Sequence, residues 1–322
     1  MRMSAAGAGN NRFVVLGSAT PHSAAVSMFL TQKVIQQSGG LIMVALSRRY
    51  LPAILLIILA GCTCRISVPN ATNTLQTRSW ITLYHHPLEL CFSKPNGLLN
   101  SDVLVVYATG DGGWRGLDQK LFEWISSWNY PVVGFSSRSY LNNLEYVRDT
   151  TTPLRLVQDF ETIIQFAEQK LEMRQSTRII LVGFSRGAGL AVVAAGQGKL
   201  KPNLAGVVAI ALTKEEEHII HYGPRKRSQS NPPARELLRI QTYEYLTRIA
   251  SVPVVVIQST HDGYLPASAA RALLGPDTEL RKLLSINAQN HRFTGGCMDL
   301  YTEAETALDW IHNIRPLPGG LR

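Results

Sequence analysis

The sequence predicts an α/β fold with a mainly parallel central sheet and helices on both faces. Short apolar runs rich in Val and Ile alternate along the chain with longer stretches whose apolar residues recur at helical spacing. The short runs have no polar side that would face solvent, which is typical of strands buried in a parallel sheet. The chain shows no internal repeat, so we expect one domain of this class.

The elements of this fold begin near residue 80. Residues 80–86 and 87–93 are predicted as two antiparallel strands, because Pro87 indicates a turn between them, and a buried β-branched strand is predicted at 102–110. Apolar residues at helical spacing then predict a helix over 117–128. Further strands are expected at 130–136, 178–184, 204–212, 252–259 and 283–288, and further helices at 157–171, 186–196, 236–249, 267–274 and 297–314. The polar stretch at 222–233 is expected to be a surface insertion.

The amino-terminal region has the pattern of an export signal. From Met43, two arginines precede ten uncharged residues, Leu51–Ala60, which are followed by Gly61 and Cys62. This order describes a secretory signal whose apolar run is too short to span a bilayer. The sequence LAGC that ends at Cys62 also resembles a lipobox, in which the cysteine is acylated, although a short buried helix followed by a chance cysteine is an alternative. The expected organisation is an upstream non-native extension over 1–42, a lipoprotein signal peptide over 43–61, a flexible tether over 62–79 and one domain over 80–322.

Acylation of Cys62 would place the domain in the periplasm, anchored to a membrane. The next residue is Thr63 and not Asp, which in bacterial lipoprotein sorting favours the outer membrane over the inner membrane. An oxidising periplasm permits a disulfide between Cys91 and Cys297, but two buried free thiols fit the sequence equally well.

The net charge of +9 does not indicate a nucleic-acid partner. Residues 1–61 contain five basic and no acidic residues, so they account for much of the excess. No long basic run with interleaved aromatic residues follows, and we expect no nucleic-acid binding.

A serine lies between two glycines directly after an apolar run. Residues 183–187, GFSRG, match the pattern G-x-S-x-G between a predicted strand and a predicted helix, which is the context of a nucleophile elbow. Glycines allow the tight turn, and the helix amino terminus favours developing negative charge. The pattern is short, and an ordinary strand-to-helix turn can also produce it, so the assignment of Ser185 depends on its partners.

An acid and a histidine follow in the order that a Ser-Asp-His triad requires. Asp262 comes directly after one predicted strand and His291 directly after the next. His261 also lies at a strand end but is adjacent to Asp262, which makes it the weaker candidate for the base. The other histidines show no spacing typical of a metal site.

Two backbone N–H groups are expected to form an oxyanion hole. One belongs to Arg186, which follows the serine, and the other to Asp111 or Gly112 in the glycine-rich loop after the strand 102–110. The loop lacks the Lys-Ser/Thr pair of a phosphate-binding P-loop.

These motifs resemble those of one protein family. The sequences GDGGW at 110–114, LVGFSRGAG at 181–189 and NHRFTGG at 290–296 resemble the VirJ/AcvB family of bacterial virulence proteins, and the similarity covers most of 102–293. Members of this family are secreted α/β-hydrolase-like proteins. The resemblance implies the α/β-hydrolase fold and a triad of Ser185, Asp262 and His291. Longer members are associated with hydrolysis of lysyl-phosphatidylglycerol and others with type IV secretion, which implies a lipid or aminoacyl-lipid substrate and secretion-system components as partners.

The sequence therefore predicts a periplasmic, lipid-tethered serine hydrolase that cleaves a carboxylic ester and needs no metal or organic cofactor. A lysyl group would need acidic contacts, and one of Glu215, Glu216 and Glu217 is expected to supply them; the alternative is a solvated, acid-rich first turn of a helix. The alternative function is a non-enzymatic binding protein or chaperone on a hydrolase fold, which has no reason to keep all three triad residues.

Overall fold

The structure is a computed structural model that describes residues 75–95, 102–147, 153–174, 177–200, 203–222, 235–249 and 251–314. All of these residues belong to one compact unit, Cys62–Arg322. The expected signal, Cys62 and the first part of the tether lie outside the described residues.

A mostly parallel sheet of eight strands forms the centre of this unit, with the strand order β1-β2-β4-β3-β5-β6-β9-β10. Its strands are β1 (Leu75–Leu83), β2 (His86–Lys94), β3 (Val103–Ala108), β4 (Val132–Phe135), β5 (Arg178–Phe184), β6 (Leu204–Ile210), β9 (Val254–Ser259) and β10 (Arg281–Ile286). β2 runs antiparallel to both β1 and β4, and every other neighbouring pair in this sheet is parallel. The predicted fold class is therefore confirmed.

Helices cover both faces of the sheet. They are α1 (Leu117–Ser127), α2 (Ser137–Val147), α3 (Pro153–Lys170), α4 (Arg186–Gly196), α5 (Thr242–Arg248), α6 (Ala267–Leu274) and α7 (Cys297–Asn313). Side chains of α1 and α7 pack on one face, and side chains of α2 to α6 pack on the other. β3 illustrates why both faces are covered, because Leu104 and Val106 face one core and Val103 and Val105 face the other, all fully buried.

Three elements differ from the sequence prediction. β1 begins at Leu75, five residues before the expected start of the domain, because residues 75–79 pair with β2. α2 follows β4 where no helix was predicted. The helix predicted over 236–249 is wrong in its first half, which forms the strand β8 (Arg235–Gln241) before α5.

β8 pairs with a strand that contains the acidic triplet. β7 (Glu215–Tyr222) and β8 form a separate two-stranded antiparallel sheet inserted between β6 and α5. The interpretation of the triplet as the first turn of a helix is therefore wrong, since long-range pairing between the two strands fixes an extended backbone. Across the parts of the chain that the structure describes, no helix has the length and apolar character needed to cross a membrane.

Candidate active site

Ser185 lies in a strained turn at the carboxyl end of β5. Its backbone has φ 53° and ψ −118°, a left-handed conformation that a non-glycine residue adopts at an energetic cost. A Cβ on Gly183 would lie 2.2 Å from the carbonyl carbon of Gly187, and one on Gly187 would lie 2.1 Å from the carbonyl oxygen of Ala108. Both positions therefore require glycine, and the turn presents the serine hydroxyl above the sheet edge, as in a nucleophile elbow.

The structure brings the three predicted triad residues into one hydrogen-bonded chain. His291 Nε2 lies 2.8 Å from Ser185 Oγ, and His291 Nδ1 lies 2.7 Å from Asp262 Oδ2. The aspartate follows β9 and the histidine follows β10, so the carboxyl edge of the sheet assembles the three groups. This geometry allows the imidazole to take the serine proton while the carboxylate fixes its tautomer.

Hydrogen-bond donors besides His291 fix the position of the Asp262 carboxylate. Its side chain is buried, with the residue 3% exposed. Gln258 Nε2 donates to Asp262 Oδ2 at 2.9 Å, and the backbone N–H of Tyr264 donates to Oδ1 at 2.8 Å. These bonds satisfy a buried carboxylate and hold it in the orientation that His291 requires. Neither donor was identified in the sequence, because the turn that places them cannot be read from a motif.

The His291 ring contacts two aromatic rings. The Phe184 ring centroid lies 5.6 Å away, and the Tyr264 ring packs edge-on at 4.7 Å. Tyr264 is 74% exposed, so it covers the imidazole from the solvent side. The competing histidine, His261, is engaged elsewhere, with Nδ1 2.8 Å from Thr260 Oγ1 and 3.0 Å from the carbonyl oxygen of Ala288.

The glycine-rich loop after β3 is pinned by a buried carboxylate. Asp118 at the start of α1 is 2% exposed, and its Oδ1 accepts a hydrogen bond from Gly110 N–H at 2.6 Å and one from the Tyr107 hydroxyl at 3.3 Å. Burial raises the pKa of Asp118 from 3.8 to about 6, against the opposing effects of these donors and of the Arg292 charge. The loop that carries Asp111 and Gly112 therefore starts from a fixed backbone position.

The residues expected to supply the oxyanion-hole N–H groups are also joined through their side chains. The Arg186 guanidinium forms an ion pair with the Asp111 carboxylate. Arg186 is the first residue of α4, where backbone N–H groups have no acceptor within the helix. The ion pair therefore links the loop after β3 to the amino terminus of α4.

The three acidic residues of β7 differ in their positions. Glu216 is buried, accepts a hydrogen bond from Thr213 Oγ1 at 2.6 Å and lies 3.9 Å from Arg186 Nε. Burial raises the pKa of Glu216, partly offset by the Thr213 bond and the Arg186 charge. Glu215 is half-buried, with Oε2 4.0 Å from Arg239 Nη1. Glu217 pairs with Arg239 through the backbone register of β7 and β8.

Two cavities meet at Ser185. The cavity that we call the β7 cavity has a volume of about 400 Å³ and is lined by Arg186, Thr213, Glu215 and Glu216, among others. The one that we call the His291 cavity has a volume of about 300 Å³, and its lining includes Asp118, Phe184, Asn290, His291 and Arg292. A further cavity of about 600 Å³, between α3 and the amino-terminal end of β5, contains none of the predicted site residues. Within the described parts of the chain, no group of three or more His, Cys, Asp or Glu residues is arranged to hold a metal ion.

The structure answers the question that the sequence left open about the cysteines. Cys91 on β2 is a buried free thiol, and burial raises its pKa to about 11. Cys297 at the start of α7 is disulfide-bonded. Both alternatives are therefore wrong, because Cys91 is not paired with Cys297 and Cys297 is not a free thiol.

Comparison with known proteins finds one matching family model and a set of solved structures that share one fold. Residues 102–223 match the model of the family described as bacterial virulence protein (VirJ). Est1E from Butyrivibrio proteoclasticus is 14% identical, with a TM-score of 0.53 over 73% of this chain and 98% of its own. A putative dienelactone hydrolase from Klebsiella pneumoniae is 10% identical, with a TM-score of 0.51 over 75% of this chain and 99% of its own.

A soluble variant of monoglyceride lipase from Saccharomyces cerevisiae is 12% identical, with a TM-score of 0.50 over 77% of this chain and 99% of its own. A search of curated proteins finds no match. At such identities the likeness concerns the fold and leaves the activity open. The chain thus has the α/β-hydrolase fold, and its residues 102–223 are similar to the VirJ family of bacterial virulence proteins.

Proposed function

We propose that this protein is a serine hydrolase that cleaves a carboxylic ester. Ser185 Oγ attacks the acyl carbon while His291 Nε2 accepts the hydroxyl proton, and the carbonyl electron pair moves onto oxygen. As the oxyanion collapses, the bond to the alcohol oxygen breaks and His291 transfers its proton to the leaving alkoxide. Water attacks the acyl-enzyme by the same route and releases the acid, and Asp262 stabilises the imidazolium that forms in each half of the cycle.

The hydrogen-bonded chain from Asp262 through His291 to Ser185 carries this proposal. It stands at a strained turn beside two cavities, so a substrate carbonyl has access to the nucleophile. The backbone N–H groups of Arg186 and of Asp111 or Gly112 are the donors that we assign to the oxyanion. The carboxylate of Asp118 supports the second donor because it holds Gly110, the residue before Asp111.

The substrate that we propose is an aminoacyl ester of phosphatidylglycerol, with lysine as the acyl group. The resemblance to the VirJ/AcvB family suggested this class, and the acidic residues of the β7 cavity support it. Both glutamates line the cavity next to Ser185, but Glu216 is buried and bonded to Thr213, whereas Glu215 is half-buried and lies 4.0 Å from Arg239 Nη1. We therefore assign the contact with a substrate ammonium group to Glu215.

The location that we propose is the periplasmic side of a membrane, most consistent with the outer membrane. Acylation of Cys62 would hold the site next to lipid, and components of a secretion system would be accessible there as partners. This part of the proposal rests on the sequence pattern around Cys62.

A fluorophosphonate probe tests the hydrolase activity directly. We expect the wild-type protein to be labelled covalently at Ser185, and we expect Ser185→Ala to remain unlabelled because the nucleophilic oxygen is absent. Labelling that persists at the same rate in the variant would contradict the assignment. An unlabelled wild-type protein would favour the non-enzymatic binding protein.

Turnover of two aminoacyl lipids tests the substrate. We expect the wild type to hydrolyse lysyl-phosphatidylglycerol with a higher kcat/KM than alanyl-phosphatidylglycerol, because the lysyl side chain adds a second ammonium group. Glu215→Gln should reduce that preference about tenfold through loss of one charge-assisted contact. A wild type that hydrolyses neither lipid would exclude the substrate class, and an unchanged preference in Glu215→Gln would exclude only this contact.

A further inference from the structure

Arg292 presents a cationic group next to the triad histidine. It follows His291 directly, is exposed and lines the His291 cavity. Its Nη2 lies 3.7 Å from the position that a Cβ would take on Gly112, so it reaches the loop assigned to the oxyanion hole. Among the described residues, the Arg292 guanidinium makes no hydrogen bond and no ion pair, whereas Arg186 is paired with Asp111. The nearby Asp118 uses Oδ1 for Gly110 and Tyr107, and the Arg292 charge acts on the same carboxylate, lowering its pKa against the effect of burial.

The reaction determines which half of an ester would contact Arg292. His291 Nε2 must deliver its proton to the alcohol oxygen, so the alcohol half of the substrate lies on the histidine side of Ser185. That side is the His291 cavity, where Asn290 and Arg292 flank the imidazole. The acyl half then extends to the other side of Ser185, into the β7 cavity.

Both cavities are lined by charges of both signs, and the cationic group particular to the His291 cavity is Arg292. The β7 cavity is lined by the carboxylates of Asp111, Glu215 and Glu216 and by the cationic groups of Arg186 and Lys214. The His291 cavity is lined by the carboxylates of Asp111 and Asp118, of which the first is paired with Arg186 and the second is buried. It also offers the exposed Arg292 guanidinium, and a guanidinium binds phosphate oxygens through paired N–H donors. The exposed Arg292 guanidinium on the histidine side therefore fits an ester whose alcohol half is anionic.

We propose that Arg292 forms an anion subsite that binds the phosphodiester in the alcohol half of the substrate. The inference rests on the proposed function, since the position of the alcohol half follows from ester cleavage at Ser185. In an aminoacyl ester of phosphatidylglycerol, the three carbons of the head-group glycerol separate the ester oxygen from the phosphate. A phosphate at that distance from the ester oxygen, on the histidine side of Ser185, would lie next to Arg292.

Binding of a soluble phosphodiester tests the subsite without any need for turnover. Glycerophosphoglycerol is the head group that remains when both fatty acids are removed from phosphatidylglycerol, and its affinity can be measured by isothermal titration calorimetry on the full protein. We expect Arg292→Gln to weaken its binding about tenfold or more. Glycerol, which lacks the phosphate, should not bind.

Arg115→Gln is the matched control for this measurement. Arg115 is an exposed arginine in the loop after β3 that lines neither the His291 cavity nor the β7 cavity, so its loss removes the same charge outside both cavities. We expect this variant to bind glycerophosphoglycerol as the wild type does. Equal affinity in wild type and Arg292→Gln, an equal loss in Arg115→Gln, or no saturable binding by the wild type would each overturn the proposal.

Kinetics on two lysyl esters separate binding from an indirect effect on the triad. The substrates are lysyl-phosphatidylglycerol and the lysyl ester of glycerol, which has the same scissile bond but no phosphate. We expect Arg292→Gln to reduce the ratio of their kcat/KM values about tenfold, mainly through KM, and Arg292→Lys to restore part of it. A kcat that falls equally for both esters would show that Arg292 acts through His291 or Asp118, and the subsite would be wrong. A wild type that cleaves neither ester would exclude the proposed substrate, and the binding measurement would still decide the subsite.

Discussion

At the scale of single residues, the proposed chemistry depends on three side chains that act as one unit. Ser185→Ala and His291→Ala should each lower kcat about 10⁴- to 10⁶-fold, because either change stops proton transfer from the nucleophile. Asp262→Asn should cost about 10⁴-fold, since an amide in place of the carboxylate favours the wrong imidazole tautomer. Steady-state kinetics on a soluble activated ester measure all three. Near-normal turnover in Ser185→Ala would remove the nucleophile assignment, with circular dichroism as the check that each variant is folded.

A second prediction concerns Asp118. Asp118→Ala leaves the buried Gly110 N–H without an acceptor. We expect kcat to fall about tenfold, because the loop after β3, which we assign to the oxyanion hole, would be displaced. Asp118→Asn retains an oxygen that can accept this bond and should keep kcat within about threefold of the wild-type value. A similar loss in both variants would contradict a role for the hydrogen bond as such.

The pH dependence of stability provides an independent readout of Asp118. Its pKa in the folded protein, about 6, is raised above the ordinary value of 3.8, so the folded chain binds this proton more tightly than the unfolded chain. The contribution to the free energy of unfolding is therefore complete below about pH 4 and is lost as the pH rises through about 6. Urea titrations of Asp118→Asn should show no such loss in the free energy of unfolding between about pH 4 and about pH 6. The same pH slope in wild type and variant would show that another group is responsible.

Single residues also show what the sequence could predict. Ser185, Asp262 and His291 were identified because a local motif and two strand ends define them. Asp118, Tyr264 and Arg292 were missed as members of the site, since loop conformation places them there and no motif marks it. Tyr264, for example, contacts the imidazole only because the turn after Asp262 returns the chain towards His291.

At the scale of elements, the contact of β5 with α4 sets the position of the nucleophile. Gly187→Ala would place a methyl group 2.1 Å from the backbone oxygen of Ala108, and no side-chain rotation relieves this contact. We expect a loss of about 3 kcal/mol in the free energy of unfolding. Gly263→Ala is the matched control, because nothing lies within 4 Å of the added methyl group. Chemical denaturation of both variants tests the difference, and equal stabilities would contradict the close packing of the elbow.

The strands that the sequence did not predict are those that depend on long-range pairing. The strands of the main sheet were predicted because each is a continuous apolar run, which period and composition identify. β7 and β8 are polar, and each is extended because it pairs with the other across the 12 residues that separate Tyr222 from Arg235. No local pattern contains that information. The buried position of Glu216 was missed for the same reason.

At the scale of the whole molecule, the parallel sheet makes the site predictable. Ser185 and His291 are 106 residues apart in the chain, yet β5 and β10 end at the same edge and bring their side chains within 2.8 Å. The order of elements thus predicts that the three residues lie together before any distance is known. The division of the site into two cavities could not be predicted, because β7, the loop after β3 and the turn after β10 each contribute to it.

The last prediction concerns attachment of the whole molecule to a membrane. Acylation of Cys62 would raise the local concentration of lipid at the site without changing its chemistry, and tethering gains of this kind reach about 10²-fold. Cys62→Ala should therefore keep the wild-type kcat/KM for a soluble activated ester and should turn over lysyl-phosphatidylglycerol in vesicles about 10²-fold more slowly at equal protein concentration. Mass spectrometry of membrane-extracted wild type should show an acylated Cys62 as the first residue. An intact Met1, an unmodified Cys62 or equal rates on vesicles would show that the protein reaches its substrate without this anchor.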